Sequence, residues 1–276
     1  MTLPFAGLGL SASLNEAVVL CERRLAGDPI PASLDYLNVG FQSGDRVPSQ
    51  LPRLLEKAGL SVVLHAVNLN LSTEVGSDFI TELKGCSQQL DADWVEEDLG
   101  VWMWDQLYLG YHLLNPVLDQ PSVENTVREV KRCQRLLGRP VLVENPPVYY
   151  CEGDLDMWEY MVRIAEGADC SLVLDIGHMI GWALNTDRPV ELAPPEWRGW
   201  ARVREFHLSG FTVITARGRA RWLDVHSRLL NPESLTWLNL ALQRVQDQCS
   251  VCLELEGASP EVIASNIKCV QEVIEH

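Results

Sequence analysis

The stretch VENTVREVKRCQRLLGRPVLVE, residues 123–144, contains one complete unit of the fold. An amphipathic run over 123–137 is closed by Gly138, a residue that ends helices by adopting the left-handed conformation. Pro140 then opens a short apolar strand that finishes on Glu144. The same alternation recurs about eight times. Strands are expected at 5–10, 35–40, 61–69, 94–99, 140–145, 171–176, 203–208 and 251–255. Helices are expected at 14–25, 50–58, 78–90, 123–137, 155–166, 232–246 and 260–274. Ser13 with Glu16 forms a capping box before Leu14, Ser122 stands as the cap before Val123, and Asn231-Pro232 opens a later helix. Nearly continuous apolar strands separated by helices call for a parallel sheet covered on its outer face, and eight units close as a (β/α)8 TIM barrel of the α/β class. No composition break marks a second domain, so residues 1–276 are expected to form one.

Composition narrows the function. Of 276 residues, 47% are hydrophobic and 22% charged, enough for one large core. The net charge of −16, from 38 acidic and 22 basic residues, argues against a nucleic-acid partner held by phosphate contacts. Met1-Thr-Leu-Pro-Phe-Ala-Gly lacks a basic segment and a long apolar run, and no later stretch is long enough to span a bilayer. A soluble, cytoplasmic protein without a membrane partner is the expectation. The eight cysteines are scattered, as free buried thiols would be, and the single Cys249-x-x-Cys252 pair is too little for a zinc knuckle.

The chemistry lies at the strand ends. Val62-Val-Leu leads to His65, Val141-Leu-Val to Glu144, Leu172-Val-Leu to Asp175 and on to His178, Arg204-Glu-Phe to His207, and Cys252-Leu to Glu254. With Asp98, Asp224 and His226 these make nine groups of metal-ligand type: His65, Asp98, Glu144, Asp175, His178, His207, Asp224, His226 and Glu254. Active sites of such barrels form at the C-terminal ends of the strands, where buried imidazoles and carboxylates are costly unless a cation pairs with them. Asp175-x-x-His178 can place two ligands on one ion as the chain leaves its strand, and Asp224-x-His226 sends two alternate side chains the same way from an extended segment. Glu144 and Glu254 can bridge two cations about 3.5–4 Å apart. No further catalytic side chain is singled out.

Gly7-Leu-Gly-Leu-Ser11, Leu64-His65-Ala-Val, Asn115-Pro116-Val, the run from Val130 through Leu-Gly-Arg-Pro140 into Val143-Glu144-Asn145-Pro146-Pro147, Leu174-Asp175-Ile-Gly-His178, Glu205-Phe-His207-Leu-Ser-Gly210 and Leu223-Asp-Val-His226 span nearly the whole chain. Together they resemble the multinuclear non-haem iron-dependent oxidative enzymes. These are xylose-isomerase-like TIM barrels of the methanobactin and thiaglutamate biosynthesis type, which modify ribosomally made peptides. The resemblance implies a cluster of two or three iron ions, with zinc as the alternative, that takes a peptide cysteine thiolate and uses dioxygen to oxidise it. It implies a precursor peptide as substrate, a separate leader-binding partner protein, and His65, Glu144, Asp175, His178, His207, Asp224, His226 and Glu254 as ligands. One departure stands out. The family's fourth strand usually ends in histidine, whereas this chain reads Trp94-Val-Glu-Glu-Asp98-Leu-Gly, so Asp98, or else Glu97, takes that place.

Two other functions share these residue types. An endonuclease IV-like hydrolase would hold three metal ions in much the same order of ligands, though the acidic charge disfavours DNA. A sugar isomerase or epimerase would use Glu144, Asp175, His207 and Glu254 around one ion and leave Asp224 and His226 without a role. A barrel that has lost a metal and serves as a scaffold is the non-enzymatic alternative. The long segments 101–121, with Trp102, Trp104, Tyr108 and Tyr111, and 181–200, with Pro189, Pro194, Pro195 and three Trp, either pack or wall a substrate channel. His112 reads as a satisfied loop histidine and His276 as irrelevant to function. Arg217, Arg219 and Arg221 form the densest basic patch, suited to a solvated loop or to a peptide carboxylate.

Overall fold

Strand and helix alternate along the chain as the hydrophobic pattern requires. The computed structural model describes residues 7–104, 107–109 and 114–274. Tyr111, His112, His276 and the first two residues expected in strand 5–10 lie outside them. The first half contains β1 (Leu8–Ser13), α1 (Leu14–Leu25), α2 (Pro29–Ala32), β2 (Tyr36–Gly40), α3 (Leu51–Ala58), β3 (Ser61–His65), α4 (Ser77–Gln89) and β4 (Val95–Asp98). There follow β5 (Met103–Trp104), β6 (Leu107–Tyr108), α5 (Gln120–Leu137), β7 (Val141–Glu144), α6 (Met157–Ala168), β8 (Leu172–Asp175) and α7 (Ile176–Asn185). The chain finishes with β9 (Val203–Leu208), β10 (Phe211–Ala216), β11 (Arg219–Asp224), α8 (Pro232–Leu242), β12 (Ser250–Leu253) and α9 (Pro260–Ile274).

Eight of these strands form a closed parallel barrel in the order β1-β12-β9-β8-β7-β4-β3-β2. It is a (β/α)8 barrel, with two small antiparallel hairpins, β5–β6 and β10–β11, added outside the ring. Because side chains alternate across a strand, the sheet separates two cores. Leu37, Val39, Leu64, Val143, Leu174, Phe206 and Leu253 face outward into the large cluster beneath the helices. Tyr36, Val63, Trp94, Leu142, Val173 and Cys252 form a small cluster inside the barrel. Gly9 makes room for it, since a Cβ there would overlap the Tyr36 ring. Above this plug the register brings polar groups side by side: His65 pairs with Glu96, Asp98 with Glu144, and Asp175 with His207.

Local chemistry explains most boundaries and corrects several. Ser13 and Glu16 make the expected capping box, and Gly138 ends α5 at φ 70°. Ser122, however, is inside α5. Asp119 is the cap, its Oδ1 accepting from Ser122 N at 2.8 Å, because Pro121 fits the first turn, where no N–H is needed. Asn231 precedes α8 without a side-chain cap bond, and its Oδ1 accepts instead from Phe211 N at 2.9 Å. The expected strand 61–69 stops at His65, after which Leu69 N turns back to Ala66 O. The expected helix 232–246 ends at Leu242. The segment 181–200 is not wholly irregular, since α7 runs through Asn185 and Arg198–Ala201 makes a 3-10 turn.

Candidate metal centre

All nine donors singled out by their positions lie at the C-terminal mouth of the barrel, and each is within reach of at least one other. Glu144 is central. Its Oε1 lies 3.1 Å from His207 Nδ1 and 3.8 Å from His178 Nδ1, and its Oε2 lies 3.4 Å from His65 Nε2. Asp98 approaches His178 Nδ1 at 3.6 Å and His65 Nε2 at 3.9 Å. Glu254 stands 3.3 Å from His207 Nδ1 and 3.9 Å from His226 Nε2. Asp224 closes β11 and meets His226 Nε2 at 2.8 Å and His178 Nε2 at 3.5 Å. His226 lies in the turn just after the strand, not in extended chain, and its Nδ1 contacts Glu256 at 2.5 Å.

Two elements orient the Asp175–His178 pair. Asp175 caps α7, its Oδ1 accepting from His178 N at 2.6 Å. Asn145, beside Glu144, accepts from Asp175 N at 2.9 Å, donates to Asp175 O at 2.9 Å, and offers its carbonyl to His178 Nδ1 at 2.9 Å. That bond makes Nδ1 the protonated nitrogen and turns Nε2 toward Asp224. Trp222 closes the far side, edge-on to the His178 ring at 5.8 Å.

His207 is held from below by residues that its strand-end position did not reveal. Its Nε2 lies 3.1 Å from Glu96 Oε1 and 3.2 Å from Asn38 Nδ2, while Nδ1 faces Glu144 and Glu254. Glu96 also accepts from Asn38 Nδ2 at 2.5 Å and from Trp94 Nε1 at 2.6 Å. Glu205 is buried beside it and accepts from the Tyr36 hydroxyl. The signal for both acids was present: Glu96 and Glu205 are two residues before Asp98 and His207, hence on the same inner face. Both neighbours at 97 and 98 lie with His65 in one group of donors within 4.8 Å of one another, but their other partners differ. Glu97 gives its oxygens to Leu69 N and Asp98 N, both at 2.9 Å, whereas Asp98 faces His65 and His178.

The arrangement offers several buried donor atoms to a cation. Among the described residues, Asp98 Oδ1, Glu144 Oε2, Asp175 Oδ2 and His65 Nδ1 are buried and meet no hydrogen-bond partner. Overlapping sets of donors, Glu144–Asp175–His207–Glu254, His65–His207–Glu254 and Asp98–Glu144–His178, each lie within 4.8 Å of one another. Burial works against charge on His65, but the adjacent Glu144 carboxylate and the charges of Glu97 and Asp98 hold its pKa well above the usual imidazole value. Burial is likewise outweighed at His207 by Glu144, Glu254 and Glu96, and at His178 by Asp175, Asp224 and Asp98. His226, also desolvated, is raised to about 12 by Asp224, Glu256 and Glu254. Burial lifts Asp175 to about 7 and Glu97 to about 8, while the imidazoles pull Glu144 and Asp224 below the carboxylate range against burial. Without metal the centre therefore stores protons.

A cavity of about 650 Å3 opens over these groups, lined on one side by His65, Asp98, His178, His226 and Glu254. On the other side are the β1 and β2 ends and Trp102. Trp158, Trp197 and Trp200 pack on one another away from it. Arg219 and Arg221 reach Asp187 at 2.6 and 3.8 Å rather than the donor cluster. Cys249 and Cys252 are both free thiols. No helix among the described residues is long and apolar enough to cross a membrane.

Comparison with known proteins adds a family and a fold. A family model described as RiPP precursor modification enzyme MbnB/TglH/ChrH matches residues 6–274. A UPF0276 protein of Vibrio vulnificus strain YJ016 is 28% identical over 205 residues, 70% of this chain and 66% of the relative. One of Pseudomonas aeruginosa is 30% identical over 188 residues, 65% and 62% respectively. The chain thus spans about two thirds of the length of the curated relatives it matches. Among solved structures, a xylose isomerase-like TIM barrel protein from Mycobacterium smegmatis in complex with magnesium superposes with a TM-score of 0.62. Its identity is 14%, covering 99% of this chain and 98% of that one. Endonuclease IV from Thermus thermophilus also gives 0.62, at 19% identity, covering 98% and 99%. Identities this low speak for shared architecture alone.

Proposed function

This chain belongs to the MbnB/TglH/ChrH family of RiPP precursor modification enzymes, and from that premise we propose that it is a multinuclear iron oxidase that uses dioxygen to modify cysteine in a ribosomally made precursor peptide. The supporting observation is the set of buried carboxylate oxygens on Asp98, Glu144 and Asp175 that meet no hydrogen-bond partner among the described residues although His65, His178 and His207 stand beside them. Five acids and four histidines exceed what one ion can use. The isomerase-type set Glu144, Asp175, His207 and Glu254 is present, but it leaves His65, Asp98, His178, Asp224 and His226 beside it.

On this proposal His65, Asp98, Glu144, Asp175, His178, His207, Asp224, His226 and Glu254 hold two or three iron ions. Bound iron supplies the redox capacity that couples thiol oxidation to dioxygen reduction. The chain's own contribution is to position. Glu144 stands between His65, His178 and His207, where it would help hold the ions together with those imidazoles. Glu96 and Asn145 fix the orientations of His207 and His178. Trp102 and Trp222 shield the cavity and the His178 ring from water. A leader-binding partner protein belongs to the same proposal, as do the absence of a nucleic-acid substrate and a cytoplasmic location.

The deciding experiment is elemental analysis of protein purified without oxygen, followed by oxygen uptake on adding a cysteine peptide. Two or more irons per chain with peptide-dependent uptake is the expected result. Zinc alone with no uptake would overturn the oxidase and favour a hydrolase.

A further inference from the structure

We propose that the β10–β11 hairpin is a docking edge on which an acidic, extended segment of the precursor peptide adds as a third strand beside β10; this rests on the peptide-modifying reading above. The two strands form a sheet by themselves, so each has one edge that the barrel does not pair. The edge of β11 is covered at its centre. Trp222 N donates to Asn185 Oδ1 at 2.9 Å, and Asn185 Nδ2 donates to Trp222 O at 3.4 Å. With Trp222's main-chain groups turned to α7, its cross-strand pair with Val213 is of the non-hydrogen-bonded kind. The Val225 N to Gly210 O bond at 2.9 Å falls where that alternation requires one. Phe211, Val213 and Thr215 therefore turn their N–H and C=O groups to the outer edge of β10.

Phe211 N is met by Asn231 Oδ1, whereas the N–H groups of Val213 and Thr215 meet no protein acceptor among the described residues. That edge is also apolar and exposed, with Val213 at 47% and Ile214 at 44%. An open strand of this kind is a template for strand addition. Charge selects the occupant. Arg217, Arg219 and Arg221 cluster at the free end of the hairpin in a chain of net charge −16, and Arg219 and Arg221 share one acid, Asp187. An incoming acidic segment finds here a local field opposite to that of the rest of the surface. The other end of β11 is Asp224, in the donor cluster. Since β11 is six residues long, its basic end lies roughly 17 Å from the centre at about 3.3 Å per residue. Acidic residues about five positions from the reacting cysteine would thus be held while the thiol reaches the cavity.

The test uses the metal-loaded full chain and a fluorescein-labelled synthetic peptide of six alternating Thr and Val residues followed by four Glu. A second peptide carries Lys in place of Glu. Saturable binding of the Glu peptide is expected, weakened at least tenfold by Val213→Pro, which removes an outward N–H from an edge position where proline is tolerated. The double variant Arg217→Glu with Arg219→Glu should weaken it as much and should gain binding to the Lys peptide. Amide exchange at Val213 and Thr215 should slow at least tenfold on binding of the Glu peptide. Equal binding of both peptides, unchanged exchange at those amides, or a self-dimer through β10 that the Glu peptide does not displace would each overturn the proposal. Metal content and oxygen uptake with a short cysteine peptide lacking the acidic strand, measured on the same variants, should persist. Failure of uptake in the unmodified chain would count against the oxidase and not against the docking edge.

Discussion

The interior of the barrel contains two layers that differ in almost everything except burial. Toward the N-terminal ends of the strands, Tyr36, Val63, Trp94, Leu142, Val173 and Cys252 make an apolar plug. Two residues further toward the C-terminal ends of the strands come Glu96, Glu144, Asp175 and Glu254, all of them buried. The plug is held by removal of apolar surface from water, which needs no specific partner. The mouth is held by charge, and charge in a dry interior is tolerable only when each group meets its opposite. The plug can thus serve as a rigid floor while the mouth, with carboxylate oxygens that meet no hydrogen-bond partner among the described residues, is the place that gains most from a ligand.

Breaking the mouth should have the largest effect. Glu144→Ala removes the group that three histidines face, and bound metal should fall to a small fraction of the unmodified level by elemental analysis. It should also cost the metal-free fold about 3–5 kcal/mol, the usual result of removing one partner from a buried charge pair. Breaking the plug should do the reverse. Leu142→Ala, fully buried, should cost about 2–5 kcal/mol in denaturant unfolding while leaving the number of metal ions per chain unchanged. Equal metal loss in both variants would erase the distinction between the layers.

Glu96→Gln tests the seam between them. It weakens the group that orients His207, and apparent metal affinity should drop about 10–100-fold with little change in unfolding midpoint. Titration with acid sharpens the contrast further. His65, His178, His207 and His226 have raised pKa values in the metal-free chain and are protonated near neutrality, yet each must be neutral to bind a cation. Metal uptake should therefore release protons, measurable in a pH-stat, and weaken about tenfold per pH unit for each proton released. In the metal-free fold, the raised imidazoles stabilise fully below about pH 6.5 and lose that contribution as pH rises through their folded values. Depressed Glu144 and Asp224 contribute above the ordinary carboxylate range and lose it on acidification. The smallest expected change is Ser13→Ala, which removes one half of the α1 capping box, about 1 kcal/mol by thermal unfolding, with metal content unaffected.

Much of this was legible before any fold was known. Apolar runs that end in an acid or imidazole are local patterns, and strands at 203–208 and helices at 14–25 and 260–274 follow them closely. Helix α7 was missed because nine of its ten residues are buried, so it has no polar face for periodicity to register. The β10–β11 hairpin was missed because its turn, Arg217-Gly218, lies within a run of arginines that reads as a solvated loop. Glu96 and Glu205 do not stand at strand ends, where a ligand pattern is legible, although period two places them on the same inner face.

By itself the sequence determined the repeat, the direction of every barrel strand and the residue types at the mouth, since all three depend on spacing along one chain. Tertiary structure alone decided that Asp98 stands near both His65 and His178 while Glu97 accepts from Leu69 N, and which nitrogen of His207 faces Glu144 and which Glu96. The reason is geometric. Those distances are set by how eight strands shift in register as they close a ring, a sum of contacts between segments far apart in the chain that no local period records.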